Sequence, residues 1–452
     1  MPAPALLRRL NTFDATLIVM GGIIGSGIFM SPAVVAQRAH TGSLIMAAWA
    51  LGGLIALIGG FIFAELAWRR PEVGGLYAYL RDAFHPVVAF MYGWTALLVS
   101  QSGGMAAAAV TFASYFTPLT HVSAGSTLVA VAILVLFTAI NCFGVREGGN
   151  MQNALMLLKL AAIVALVGAG LFFAPAAPAG AAMANPHRSV QLFIIFGAAM
   201  IPVLFAYDGW QTASFMSGEL KNPARSLPRG LVWGVVAVIA LYLGVNFVCV
   251  RVLGPGGLMA TSTPASDVMR IAAGRLGERM VAAAIGLSTL GFLSNQILVS
   301  PRIYYAMAHD GLFFRQIAWL HPKTHVPLFA IVLQGAIAVV IALSGRYDQI
   351  LNYVTSIDYV FFALAAVALI VFRRRAGRSV VEPRAGTARS AGVRVPGHPW
   401  STVFFCLASV IVVLDTLVAY PKDTLIGLII LISGIPIYYL WKRAAGPLAP
   451  AR

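Results

Sequence analysis

Met20-Gly-Gly-Ile-Ile-Gly-Ser-Gly-Ile-Phe-Met30 sets four glycines into the middle of an apolar stretch. A related interruption follows at Pro202-Val-Leu-Phe-Ala-Tyr-Asp-Gly-Trp210, where Pro202 and Gly209 bracket a polar Tyr207 and Asp208. In a soluble helix such residues would only lower stability. In a membrane they mean more, because freed backbone N–H and C=O groups find no water in hydrocarbon and must line a cavity or bind something. The first question is therefore whether these stretches cross a membrane.

Composition answers it. The 452 residues are 60% hydrophobic and 10% charged, with mean hydropathy +0.85, whereas a soluble domain carries about 25% charged residues. Such a chain could not cover a soluble surface, and the same figures exclude disorder. The net charge of +16 would suit a nucleic acid, yet the basic residues fall mostly between long apolar runs, so no nucleic-acid partner is read. Cys142, Cys249 and Cys406 all lie in apolar runs, which argues against a disulfide framework. Arg8 and Arg9 precede the first apolar run without a small-residue cleavage site, so that run reads as a true span.

The pattern is that of an all-α polytopic membrane protein with twelve transmembrane helices, each near the 20 apolar residues a span requires. The spans fall at 14–37, 43–68, 86–114, 124–143, 150–173, 191–217, 230–253, 279–308, 327–344, 348–372, 400–420 and 424–441. Alternate connections hold 22 and 8 Lys or Arg residues, with Lys159 left inside a span. The positive-inside rule then puts both termini, 1–13 and 442–452, in the cytoplasm. The Arg-rich 373–399 stretch becomes a cytoplasmic loop beside the lipid bilayer.

No connection has room for a soluble catalytic or nucleotide-binding domain. The motifs G-x-x-x-x-G-K-[ST], H-E-x-x-H and G-x-S-x-G do not occur. His321 and His325 are flanked by Pro322 and Pro327 in a loop, a poor zinc pair. No enzyme activity, metal or cofactor is read.

The two interrupted spans open two blocks of five spans, 14–173 and 191–372, with 400–441 following. Five is odd, so the blocks run in opposite senses across the membrane. An inverted repeat headed by broken helices 1 and 6 is the pattern of a secondary transporter with a midplane site. Small residues also serve close helix packing, and Gly52-Gly53 and Gly103-Gly104 are read that way. The half-helix starting near Ile28 offers unpaired N–H groups and a positive dipole end, suited to a carboxylate. The half-helices ending near Ile24 and Ala206 offer carbonyls, suited to an ammonium. An α-amino acid carries both groups.

GGIIGSGIFMSP (21–32) and FAYDGWQ (205–211) resemble signatures of the amino acid–polyamine–organocation superfamily, in its L-type amino acid transporter branch. PEVGGLYAYL (71–80), GELKNPARSLPRG (218–230), SPRIYYAMAHDGLF (300–313) and RVPGHP (394–399) extend the resemblance from residue 14 to about 420. It implies a LeuT-type 5+5 fold and alternating access. It further implies that a substrate carboxylate meets the amides around Gly25, Ser26 and Gly27, and that the amino group meets carbonyls at Ile23, Phe205, Ala206 and Asp208. Phe205 matches the family's gating aromatic, with Trp210 near it. Relatives vary between Asp and Gly at Asp208, which implies that its carboxylate is dispensable.

Lys159 lies nine residues beyond Asn150, about 13 Å along a helix. At that depth an ammonium needs a partner, although a long side chain can also snorkel to an interface. The resemblance implies that Lys159 stands where sodium sits in sodium-driven relatives, with the Gly27 region and Ser288 as partners, and hence sodium independence. Asp358, in the tenth span, pairs with Tyr359, lines the substrate route, carries a proton or is a satisfied interhelical residue; the sequence leaves these open. Glu65, Asp14 and Asp415 read as structural. The loop at 115–123 lacks the cysteine by which animal relatives hold a glycoprotein heavy chain, so no such partner is expected. High Ala, Gly and Arg usage points to a bacterium, hence the bacterial inner membrane.

The expectation is a sodium-independent exchanger or facilitator of neutral L-amino acids. The alternatives are a proton-coupled amino acid or amine permease, a sensor on a transporter fold, and a membrane-embedded enzyme. The last two lack, respectively, a soluble extension and a catalytic constellation.

Overall fold

The computed structural model describes residues 6–120, 125–177, 189–344, 347–378 and 393–444. In chain order its α-helices are α1 (Thr12–Ile23), α2 (Gly27–Ala39), α3 (Gly42–Arg69), α4 (Leu76–Ala83), α5 (Pro86–Thr95), α6 (Gln101–Thr120), α7 (Ser126–Cys142) and α8 (Val145–Phe172). There follow α9 (Ser189–Tyr207), α10 (Pro223–Ala260), α11 (Pro264–Val299), α12 (Pro301–His309), α13 (Leu328–Leu343), α14 (Tyr347–Arg378), α15 (Trp400–Ala419) and α16 (Pro421–Ala444). Eight helices among the described residues are long and apolar enough to cross a membrane. The pair α1–α2, bent by 44° at its break, passes the same test together. The chain is a multi-pass helical membrane protein.

The first break is encoded locally. Asn11 caps α1 by accepting from the Phe13 and Asp14 amides at 2.7 and 3.2 Å, while Asp14 accepts from the Asn11 amide at 2.8 Å. The helix stops where Ile24 turns extended, and α2 starts again at Gly27. Glycine costs about 1 kcal/mol per helical position relative to alanine, and four of them fall here. The second break falls at Asp208-Gly209, after which Trp210–Glu219 runs as a 3₁₀ helix rather than an α-helix. Pro202 does not mark this break; it sits within α9. Gly209 takes φ +116°, a conformation that favours glycine.

Three other boundaries differ from the sequence reading. The third span is one long helix carrying a π segment, Ala96–Ser100, between α5 and α6. The eighth ends at Val299, and Pro301 at the first turn of α12 begins a separate short helix. α10 also runs on past its expected span to Ala260 with a kink at Gly254, and α11 starts ahead of its span with a kink at Ala273–Gly274. Most of the basic 373–399 stretch, and 121–123 of the 115–123 loop, lie outside the described residues.

On the face that holds the N-terminus, Leu10 forms an isolated parallel bridge with Leu220. The Arg9 and Leu10 amides donate to the Glu219 carbonyl at 2.9 and 3.0 Å. Above it, Arg302 Nε donates to Glu219 Oε1 at 2.8 Å, both residues buried. Arg302 is thus a core residue, although it lies near the end of its span. Beside this pair, Tyr77 donates to Asp310 at 2.9 Å, and Arg81 reaches Asp310, Glu72 and Asp82. Burial and the neighbouring Asp310 charge push the Tyr77 phenol well above its ordinary range.

Glu65 ties three segments of this face. Wholly buried at the end of α3, it accepts from Arg69 at 2.8 Å, from Arg373 Nε of α14 at 2.8 Å, and from the Val395 amide at 2.9 Å. Removing one partner of a buried ion pair costs about 3–5 kcal/mol. Glu65→Ala is therefore expected to lower the thermal unfolding midpoint in detergent markedly, and Glu65→Ala/Arg373→Ala by less than the two changes summed. Additive losses would show that the two residues act separately.

Candidate functional site

The two breaks meet backbone to backbone. A Cβ on Gly209 would stand 2.1 Å from the Gly22 carbonyl oxygen, and one on Gly22 would stand 2.6 Å from the Gly209 oxygen. Beside this crossing opens a cavity of about 870 Å³, mouth included. Ile23, Gly25, Ser26 and Gly27 line it from the first break, and Phe205, Ala206, Asp208 and Gly209 from the second. All the substrate-contact residues expected from sequence therefore meet in one space. The first two amides of α2, ahead of the Phe29 amide that donates to the Ser26 carbonyl at 3.1 Å, have no partner within their own helix and carry the positive end of its dipole. The cavity consequently has an anion-favouring end and carbonyls facing it.

Several of those carbonyls are engaged by side chains. The Lys159 ammonium donates to the Ile24 oxygen, and Ser288 Oγ donates to the Gly25 oxygen at 3.0 Å. Lys159 is 1% exposed, which excludes snorkelling. Its recorded acceptor is Ile24, neither the Gly27 region nor Ser288, and its stem packs against Gly291, on which a Cβ would stand 3.1 Å from Lys159 Cε. The Phe205 oxygen accepts from the Asp208 amide at 3.2 Å. The Tyr242 hydroxyl lies 3.2 Å from the Ile23 oxygen and 3.1 Å from the Ala206 oxygen. With one proton to donate, it bridges both breaks and leaves lone pairs on each carbonyl for a second donor.

Tyr242 was not singled out by its sequence, where it is one aromatic in an apolar run. Trp49 and Tyr207 hold its ring, at centroid distances of 5.7 and 4.9 Å. Ser100, Gln101, Gln211, Thr212, Thr289 and Gln296 also line the cavity, and polar residues in mid-span were their available signal. Gly104 lines it too, which corrects its reading as packing only, whereas Gly52 and Gly53 do pack against Val203, Tyr207 and Ile239. Ala107 and Ala108 form an apolar wall.

Two further expectations change. Trp210 is wholly buried against Phe362 and Phe405 and does not line the cavity, because the 3₁₀ turn carries it into the core. Asp358 is not paired with Tyr359: Ser100 donates to it at 2.7 Å, while Tyr359 donates to the Leu204 carbonyl at 3.3 Å.

Residues 10–435 match the family model described as amino acid permease. The chain belongs to the amino acid permease family. This permease is 30% identical to the serine/threonine exchanger SteT of Bacillus subtilis (strain 168), over 97% of this chain and 98% of that one. It is 25% identical to the b(0,+)-type amino acid transporter 1 of Mus musculus, covering 97% and 88% of the two chains. It is 27% identical to the large neutral amino acids transporter small subunit 2 of Mus musculus, covering 96% and 81%. The permease is a transporter of the L-type branch of its superfamily, not an enzyme, and its substrates are amino acids.

Tyr242→Phe removes the bridging hydroxyl while keeping the ring. A net loss of about 0.5–1.5 kcal/mol is expected for such a hydrogen bond, read as a lowered unfolding midpoint and a raised KM for uptake. Gly209→Ala is expected to abolish uptake, since its Cβ meets a backbone carbonyl that cannot rotate away. Uptake by Gly209→Ala at the wild-type rate would show that the two breaks need not touch.

Proposed function

We propose that the permease exchanges neutral L-amino acids across the bacterial inner membrane, independently of sodium, by alternating access. The observation that carries this reading is the convergence of amide and carbonyl ends from two broken helices on one cavity. The substrate carboxylate sits on the Gly25, Ser26 and Gly27 amides. Its ammonium sits among the carbonyls of Ile23, Phe205, Ala206 and Asp208, with Phe205 as the gate. Lys159 and Ser288 hold the unwound Ile24-Gly25 carbonyls by direct donation, so a fixed ammonium does there what a bound sodium would otherwise do. That geometry supports sodium independence. The Bacillus relative is a serine/threonine exchanger, which supports exchange.

The proposed architecture is twelve spans in a LeuT-type 5+5 inverted repeat, 14–173 and 191–372, followed by 400–441. Both termini and the 373–399 loop face the cytoplasm, and no heavy chain is required. A second reading, a proton-coupled amino acid or amine permease, is favoured by one observation: the carboxyl of Asp358 faces the cavity with Ser100 as its hydrogen-bond donor.

The purified chain in liposomes tests both. Uptake of labelled serine or leucine should require unlabelled amino acid inside and be unchanged when sodium is replaced by choline. Accumulation in empty vesicles under an inward proton gradient would favour the second reading, and no uptake under any condition would reject both.

A further inference from the structure

Phe313 and Phe314, just beyond α12, close on Trp441 near the end of α16. The Phe313 ring stacks on the indole at a centroid distance of 5.9 Å, and the Phe314 ring meets it edge-on at 4.4 Å. This aromatic clamp joins two segments far apart in the chain and gathers their neighbouring cations. Arg315 follows Phe314, Lys442 and Arg443 follow Trp441, and all three are exposed. None of the three side chains forms an ion pair or hydrogen bond among the described residues. On the same face Arg69, Arg81, Arg302 and Arg373 each meet a carboxylate. Asp310, the acid nearest Arg315 in the sequence, is committed to Tyr77 and Arg81. A helix C-terminus favours cations, which accounts for Lys442 and Arg443 but not for Arg315.

The depth of the cluster says what could neutralise it. α16 is apolar enough to cross the membrane from Pro421 to Arg443. Trp441 and the two cations after it therefore stand where hydrocarbon gives way to head groups, the level at which tryptophan anchors a span. Tyr439, Pro436 and Ile432 continue from Arg443 along one face of the helix, and all three are exposed. A largely apolar stripe crowned by unpaired cations fits an amphiphile with a negative head. A soluble anion would use the cations alone, and a zwitterionic lipid would bring no net charge to them.

We propose that Arg315, Lys442 and Arg443, gathered by the Phe313–Phe314–Trp441 clamp, form a headgroup site for an anionic phospholipid whose acyl chain lies along α16. The bound lipid ties the segment after α12 to the end of the last helix. The site is on the outside of the bundle and is independent of what the cavity carries.

The test uses the full-length protein in a neutral detergent, titrated with phosphatidylglycerol or with phosphatidylcholine of the same acyl chains. The unfolding midpoint and the lipid retained in native mass spectrometry are followed. Phosphatidylglycerol should raise the midpoint and be retained at lower concentration than phosphatidylcholine. Each basic residue at an anionic surface is worth roughly fivefold in affinity. Arg315→Gln/Lys442→Gln/Arg443→Gln should therefore weaken phosphatidylglycerol by about tenfold or more and leave phosphatidylcholine unchanged. Trp441→Ala, which opens the clamp but keeps every charge, should weaken it by less. Lys221→Gln/Arg225→Gln/Arg229→Gln removes three exposed cations elsewhere on this face and should keep the wild-type preference. Equal losses in the two triple variants would overturn the site in favour of net charge. Wild-type protein that binds phosphatidylglycerol no better than phosphatidylcholine would also overturn it. So would equal protection by glycerol 1-phosphate, which assigns the cations to a soluble anion. If the triple variant does not fold, Arg315→Gln and Arg443→Gln decide singly, and an unchanged preference in both rejects the proposal.

Discussion

Contact between the Gly22 and Gly209 backbones is the constraint on which the rest of the permease depends. Two helices interrupted in a membrane each leave amides and carbonyls that hydrocarbon cannot solvate. Bringing the interruptions together concentrates those groups around one cavity, and only glycine permits so close an approach. Every other feature of the site answers to that crossing. Thr212, Asn295 and Gln152 fill the space beside Gly21 and Gly22, where a side chain on either glycine would collide with them. Tyr242 spans the two breaks from a third helix, α10.

The remaining carbonyls are divided between permanent and exchangeable partners. Lys159 and Ser288 hold Ile24 and Gly25 from α8 and α11, so the unwound segment is fixed to the helices behind it. Among the described residues, no side chain is recorded holding the first two amides of α2 in the same way.

Much of this was legible in the chain. Glycines at 21, 22, 25 and 27 and the Asp208-Gly209 pair announced both breaks, and a lysine in mid-span announced a buried partner. The exact places were less legible. Pro202 looked like a breaker, yet a membrane helix tolerates proline where neighbours satisfy the freed carbonyl, and α9 runs on to Tyr207. Trp210 looked like a gate by adjacency, but the direction of a side chain after a 3₁₀ turn depends on a twist that sequence does not state. Tyr242 could not be told from other aromatic residues of an apolar span, because its role comes from reaching across to two other helices. Pro301 was a readable helix start that the apolar run concealed.

The π segment at Ala96–Ser100 has a consequence for the wall of the cavity. A π turn takes in one extra residue, so everything after it is rotated by about 100° relative to an uninterrupted α-helix. The span therefore carries two phases. Up to Thr95 its buried residues face one set of neighbours, and from Ser100 onward Gln101, Gly104, Ala107 and Ala108 turn toward the cavity. In that sense the bulge sets the angular origin of the binding wall. The loss of a single residue there would leave the helix intact in length and apolarity while aiming a different row of side chains at the substrate.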